Sequence, residues 1–158
     1  MATITMTRQY PIDRHRLYAH LTEPTNWPSY YHGMIAATPR GAFADPGDQV
    51  SVRHRLLGRS IDLEVTLLEL DAPTRFRTRA KGSGLPPVEH VWSYADSDGG
   101  TSVTVTAEME ETTSWLGRAI DRHVLPRQLE RDVARTLDNL EELVAYGLDA
   151  GEPDRSTS

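Results

Sequence analysis

Cysteine is absent from the chain, which excludes disulfides, thiolate-bound zinc and a cysteine nucleophile. Lysine is almost absent as well: Lys81 stands beside sixteen arginines. That ratio matches the coding bias of a GC-rich genome and is given no mechanistic weight. No apolar run approaches the ~20 residues of a membrane span, and the opening MATITMTRQYPIDRHR lacks the apolar stretch of a signal peptide. A cytoplasmic protein without a membrane span is therefore expected. The net charge is −6 and the arginines are scattered, which weighs against nucleic acid or an anionic membrane as partner. There is no Gly-x-Ser-x-Gly elbow and no phosphate loop, because Gly82-Ser83-Gly84 runs into Leu-Pro-Pro rather than a helix. Histidines and carboxylates do not recur at metal-ligand spacings on one face, so neither a metal nor a cofactor is expected.

What remains is an ordinary soluble composition. In 158 residues, 38% apolar and 25% charged side chains suit one globular domain with a substantial core. Residues 1–147 read as that domain. Residues 148–158, ending in DAGEPDRSTS, offer little to bury and read as a disordered tail.

The longest regular stretch runs from Thr113 to Gly147. Leu129, Val133, Leu137, Leu140 and Val144 recur at steps of three and four, forming one face of a helix. Arg131, Asp132, Arg135, Asp138, Glu141 and Glu142 mostly fill its other faces. Pro126 predicts a kink, or a short helix followed by a long one, and Gly147 is placed to end it. Such a one-sided helix needs a broad apolar partner.

Strands supply it. Thr3 to Tyr10 alternates, with Ile4, Met6 and Tyr10 sharing a face with Arg8. Arg8 on this face either points into a cavity or, on an edge strand, reaches water; the latter is preferred. Asp13 predicts a helix N-cap, with Leu17, Tyr18 and Leu21 on the buried side. Pro24 to Tyr31 reads as a second short helix or tight turn, and its Trp27, Tyr30 and Tyr31 plug one end of the core. The turn-rich Gly41 to Asp48 leads into further strands with inward sets Val50/Val52/His54/Leu56 and Ile61/Leu63/Val65/Leu67. Gly58-Arg59 is the expected hairpin turn between them, with Arg53 and Arg55 pairing outside with Asp62 and Glu64. After Asp71-Ala72-Pro73 come Phe76/Thr78/Ala80, a loop at Gly82 to Pro87, then Val88/His90/Trp92/Tyr94. After Asp98-Gly99-Gly100 comes Val103/Val105/Ala107/Met109. Amphipathic strands joined by short turns make an antiparallel meander with one wet face.

This order of elements resembles the helix-grip fold of the START-like superfamily, and in detail its bacterial polyketide cyclase/dehydrase-like branch. The matching stretches are YPIDRHRLYAHLTEPTNWPSYY, GDQVSVRHRLLGRSIDLEVTLLELDAPTRF and WSYADSDGGTSVTVTAEME. They mark a helix start and two turns, so they speak to scaffold and not to a reaction. The resemblance implies an α+β fold in which a curved antiparallel sheet wraps a long C-terminal helix, with two short helices after the first strand. It also implies a deep, mostly apolar pocket between sheet and helix.

Within such a pocket, His54 and His90 occupy inward positions otherwise held by apolar residues. Each is either an acid, base or donor working near neutral pH, or a structural histidine satisfied by its neighbours. Tyr30 and Tyr31 offer hydroxyls to a carbonyl or phenol oxygen, although adjacent residues do not easily both face inward. Trp27, Val52, Leu63, Val65, Thr78, Trp92, Tyr94, Val105, Leu129 and Val133 complete the expected ligand lining. The carboxylate run Glu108, Glu110 and Glu111 reads as solvated, and His15, His20 and His123 as surface groups.

Two functions follow. The first is a carrier or binding protein for a small hydrophobic molecule, an aromatic polyketide or a lipid-like compound. The second, by resemblance, is a polyketide cyclase or dehydratase with histidine as base and tyrosine holding the carbonyl oxygen. A protein-interaction module of the same superfamily is a third class; it predicts an exposed apolar patch and an oligomer.

Overall fold

The computed structural model describes residues 2–110 and 124–148. Residues 111–123 and 149–158 lie outside them, and so do the readings made there, on Glu111, on His123 and on the front of the helix begun at Thr113. The elements run β1 (Ala2–Tyr10), α1 (Arg14–Leu21), a 3-10 helix (Pro24–Ser29), β2 (Met34–Pro39), β3 (Gln49–Leu56) and β4 (Arg59–Asp71). They continue with β5 (Arg75–Gly82), β6 (Leu85–Ser97), β7 (Gly100–Met109) and α2 (Val124–Tyr146). The seven strands form one sheet in the order β1-β7-β6-β5-β4-β3-β2, every neighbour antiparallel. With the long helix packed on its inner face, this is the helix-grip architecture.

The alternation read from the sequence sets which side chains meet α2. On β7, Val103, Val105 and Ala107 are buried, and on β6 so are Trp92 and Tyr94. From α2, Leu129, Val133, Leu137 and Leu140 meet them. Irregularities in pairing at Leu67/Glu69 on β4 and Ala80/Gly82 on β5 add local twist, which helps the sheet curl around the helix. Asp13 caps α1, its Oδ2 accepting from the Arg16 amide at 3.1 Å, and Leu17, Tyr18 and Leu21 are buried as expected.

Several expectations change. Strand β2 was not foreseen: MIAATP has little alternation and ends in proline, and it survives as an edge strand, where a missing amide is tolerated. The β3–β4 turn is Leu57-Gly58, both with positive φ (50° and 82°), rather than Gly58-Arg59. The expected loop from Gly82 to Pro87 shrinks to Ser83-Gly84, and β6 takes in both prolines. On the outer face Arg53 meets Asp62 at 3.3 Å, but Glu64 pairs with Arg40 of the loop after β2 at 3.1 Å. Arg8, as preferred, lies on an edge strand and stays out of the core; its exposed guanidinium meets Asp138 of α2 at 2.7 Å. Pro126 lies near the start of the described part of α2, and the reading of a kink or a preceding short helix falls on residues outside those described. Gly147 follows the helix with φ 90°, and Leu148, assigned to the tail, is only 3% exposed against the core.

Candidate functional site

Between the concave face of the sheet and α2 lies a cavity of about 150 Å³. The alternating strands aim one side chain in two at it. Val52 and His54 come from β3, Leu63 and Val65 from β4, Thr78 and Ala80 from β5. Val88, His90 and Trp92 follow from β6, and Val105 and Met109 from β7. Helix α2 closes it with Leu125, Leu129 and Val133, and Trp27 and Tyr31 enter from the segment after α1.

The cavity has two distinct ends. Along β6 its lining runs Pro86, Val88, His90, Trp92 and stops before Tyr94. One end is therefore aromatic, and the other is framed by Leu56, Ile61, Lys81 and Leu85 at the tips of two hairpins. At the aromatic end the Tyr31 ring stands edge-on to Trp92 at 5.9 Å and to His90 at 6.5 Å.

Most of the expected site residues meet here, and two do not. Tyr30 does not border the cavity; its hydroxyl donates to the Leu21 carbonyl at 2.6 Å in the core. It is thus a packing residue and is withdrawn as a catalytic candidate. Tyr94 sits beyond the cavity end, stacked on Trp92 with ring centroids 6.5 Å apart, and is withdrawn from the ligand lining. The two adjacent tyrosines do both face inward, their rings stacked at 4.8 Å. They follow a 3-10 helix rather than forming a strand, so the two-fold alternation that would separate them does not apply.

On α2, two polar lining groups were missed. Asp132 and Thr136 belong to the same face of α2 as Leu125 and Leu129, and Asp132 had been assigned to the solvated faces. The step 125, 129, 132, 136 was legible in the sequence; polar side chains at its last two positions were the signal. Asp132 accepts from Gln128 at 2.9 Å and lies 3.9 Å from His32 Nε2, while Thr136 Oγ1 accepts the His32 amide at 3.0 Å. The connection from the 3-10 helix into β2 is thereby tied to α2 beside the cavity.

The charge states follow from burial. Removal from water pushes the His90 imidazole down to about 4, with His54 adding a smaller repulsion, so His90 is neutral at neutral pH. By surface area His90 is only half-buried, and it borders the cavity. Burial also lowers His54, opposed by the Asp132 carboxylate, and raises Asp132 despite its hydrogen bond from Gln128. Tyr31 is raised by burial and stays a phenol. Gly33 fixes the His54 ring: at φ +84°, a Cβ there would stand 2.9 Å from His54 Cε1. Among the described residues no group of three or more histidines and carboxylates is arranged to hold a metal ion. None of the described helices is long and apolar enough to cross a membrane.

Similar structures share this architecture. A START superfamily protein from Mycobacterium smegmatis superposes with a TM-score of 0.76 at 10% identity, over 92% of this chain and 98% of the other. TTHA0849 from Thermus thermophilus gives 0.75 at 18% identity, over 90% and 97%. Ara h 8.0201 gives 0.69 at 12% identity, over 92% and 98%. At these identities the likeness is one of fold. No curated protein matches the sequence. The family described as polyketide cyclase / dehydrase and lipid transport matches residues 1–145, and the chain belongs to it.

Proposed function

We propose that this protein binds a compact, largely apolar molecule in the cavity between sheet and helix, as a carrier or binding protein. The observation that carries this reading is the cavity itself: lined by the inward strand positions and the helix stripe, apolar over most of its wall, and polar at a few points. Its volume narrows the ligand. About 150 Å³ is the size of an apolar cavity that accepts one benzene ring, and it falls below the ~300 Å³ at which pockets for drug-sized molecules begin. A one-ring aromatic fits it better than a multi-ring polyketide or a long acyl chain.

The second reading, a cyclase or dehydratase, has His54, His90 and Tyr31 on the cavity wall in its favour. The low basicity of His90 weighs against it, because a general base works best with a pKa near the operating pH. The exposed large apolar residues among those described, Ile35, Leu57 and Tyr146, stand on three separate elements, which lends the interaction-module reading little support.

Native mass spectrometry of the protein from its own host, followed by denaturing extraction, tests the carrier reading. A small aromatic compound held by wild type and lost from Val133→Trp, which fills the cavity, is the expected result. A ligand retained equally by both would place binding elsewhere. A carbonyl compound consumed by wild type and left intact by His54→Ala would replace the carrier with the enzyme.

A further inference from the structure

We propose that the outer edge of β1 pairs antiparallel with the same edge of a second copy of this chain, joining the two sheets into one across a two-fold axis. The sheet has two edges, β1 and β2, and the chain treats them differently. Strand β2 is six residues long, breaks register between Met34 and Ala36, and ends in Pro39. Short length, a bulge and a proline are the devices that blunt an edge against pairing. Strand β1 has none of them. Its nine residues, ATITMTRQY, hold neither proline nor glycine and extend about 30 Å. They pair with β7 without a break from Ala2↔Met109 to Tyr10↔Thr101. On the other side of β1, about half of its backbone N–H and C=O groups face outward, and no described strand pairs with them.

The side chains favour a second copy as the occupant. Thr3, Thr5, Thr7 and Gln9 form the exposed row of β1, and none carries a charge. The one charged residue of the strand, Arg8, lies on the inner side and already meets Asp138. Two such edges brought together about a two-fold axis are self-complementary and oppose no like charges on their outer rows. The threonines already show the contact they would repeat: across β1 and β7, the hydroxyls of Thr5 and Thr106 lie 3.3 Å apart and those of Thr7 and Thr104 3.0 Å apart. A strand from a different protein is selected by pockets for its alternate side chains, and a row of short hydroxyls offers none. Edge pairing runs through the backbone, so it needs no apolar patch and agrees with the scattering of Ile35, Leu57 and Tyr146. It would also brace the strand on which α2 is pinned through Tyr10 and Arg8.

Sedimentation equilibrium of the full chain tests this. Wild type is expected to pass from monomer to dimer with a Kd on the order of 10 µM, as suits an interface smaller than the standard size. Thr5→Lys combined with Thr7→Lys sets like charges against each other across the axis and should raise that Kd at least ~tenfold. Thr5→Glu combined with Thr7→Glu should do the same, and mixing the two double variants in equal amounts should restore the dimer, which also shows both to be folded. Ile35→Lys, on the other edge of the sheet, should leave association unchanged. A wild type that stays monomeric throughout, leaving the edge to a strand of another protein, would overturn the proposal. So would a dimer that survives the lysines, one that mixing does not restore, or one lost in Ile35→Lys.

Discussion

The Tyr30 hydroxyl donates to the Leu21 carbonyl, which also accepts the Trp27 indole N–H at 3.0 Å. Tyr30→Phe leaves that carbonyl one partner, so its cost should be about 1 kcal/mol by urea denaturation, with ligand affinity unchanged. A larger effect on binding than on stability would return Tyr30 to the site. His90 makes a sharper prediction through pH. Folding lowers its pKa from 6.5 to about 4, so the unfolded chain takes up this proton first. The stability it protects is complete above about 6.5 and declines as the pH falls towards 4, by on the order of 3 kcal/mol. His90→Gln removes the titration. The difference between wild type and variant should therefore shift by that order between pH 7 and pH 4 in paired denaturation curves. Parallel pH profiles would mean that His90 is not desolvated.

At the scale of elements, α2 does two jobs along one face. Its first half borders the cavity through Leu125, Leu129, Asp132, Val133 and Thr136. Its second half, with Leu137 and Leu140 fully buried, is core. Leu137→Ala should accordingly cost about 2–5 kcal/mol, as expected of a well-packed site. Leu129→Ala should cost clearly less, because one side of that leucine already faces empty space, and it should admit a two-ring probe that wild type excludes. Equal costs would mean that the gap collapses around its lining. The helix is pinned at the sheet edge by β1, where Tyr10 donates to the Leu137 carbonyl at 2.8 Å beside the Arg8–Asp138 pair. The buried hydrogen bond is the stronger tie, since an exposed ion pair contributes roughly 0–1 kcal/mol. On the other side, Gly33 is the backbone position that lets the chain pass over His54. Gly33→Ala combines an unfavourable positive φ with a contact on the ring and the Arg55 carbonyl, and should displace His54. A changed His54 titration by NMR would report it.

For the molecule as a whole, the strands were legible because one face of each is buried and the period of two is strict, as in Val103, Val105, Ala107. The cavity lining could be read for the same reason, and His54, His90 and Thr78 do border it. What escaped notice depended on partners distant in sequence. Strand β2 owes its existence to pairing with β3 rather than to its own residues. The partner of Arg8 could not be named without knowing that α2 brings Asp138 to it across 130 residues. The use of Tyr30 depended on a single carbonyl in α1. Patterning thus locates the cavity, whereas hydrogen bonds decide which of its polar groups are free to act.

The central claim is that the space between sheet and helix is a dry binding cavity rather than a packing gap filled by water. Crystals pressurised with xenon test it most directly, since xenon enters apolar voids and does not displace hydrogen-bonded water. The account predicts a xenon atom among Val65, Val105, Leu129 and Val133, lost in Val133→Trp. Ordered waters bridging His54, His90 and Asp132 through the same space, with no xenon, would contradict it.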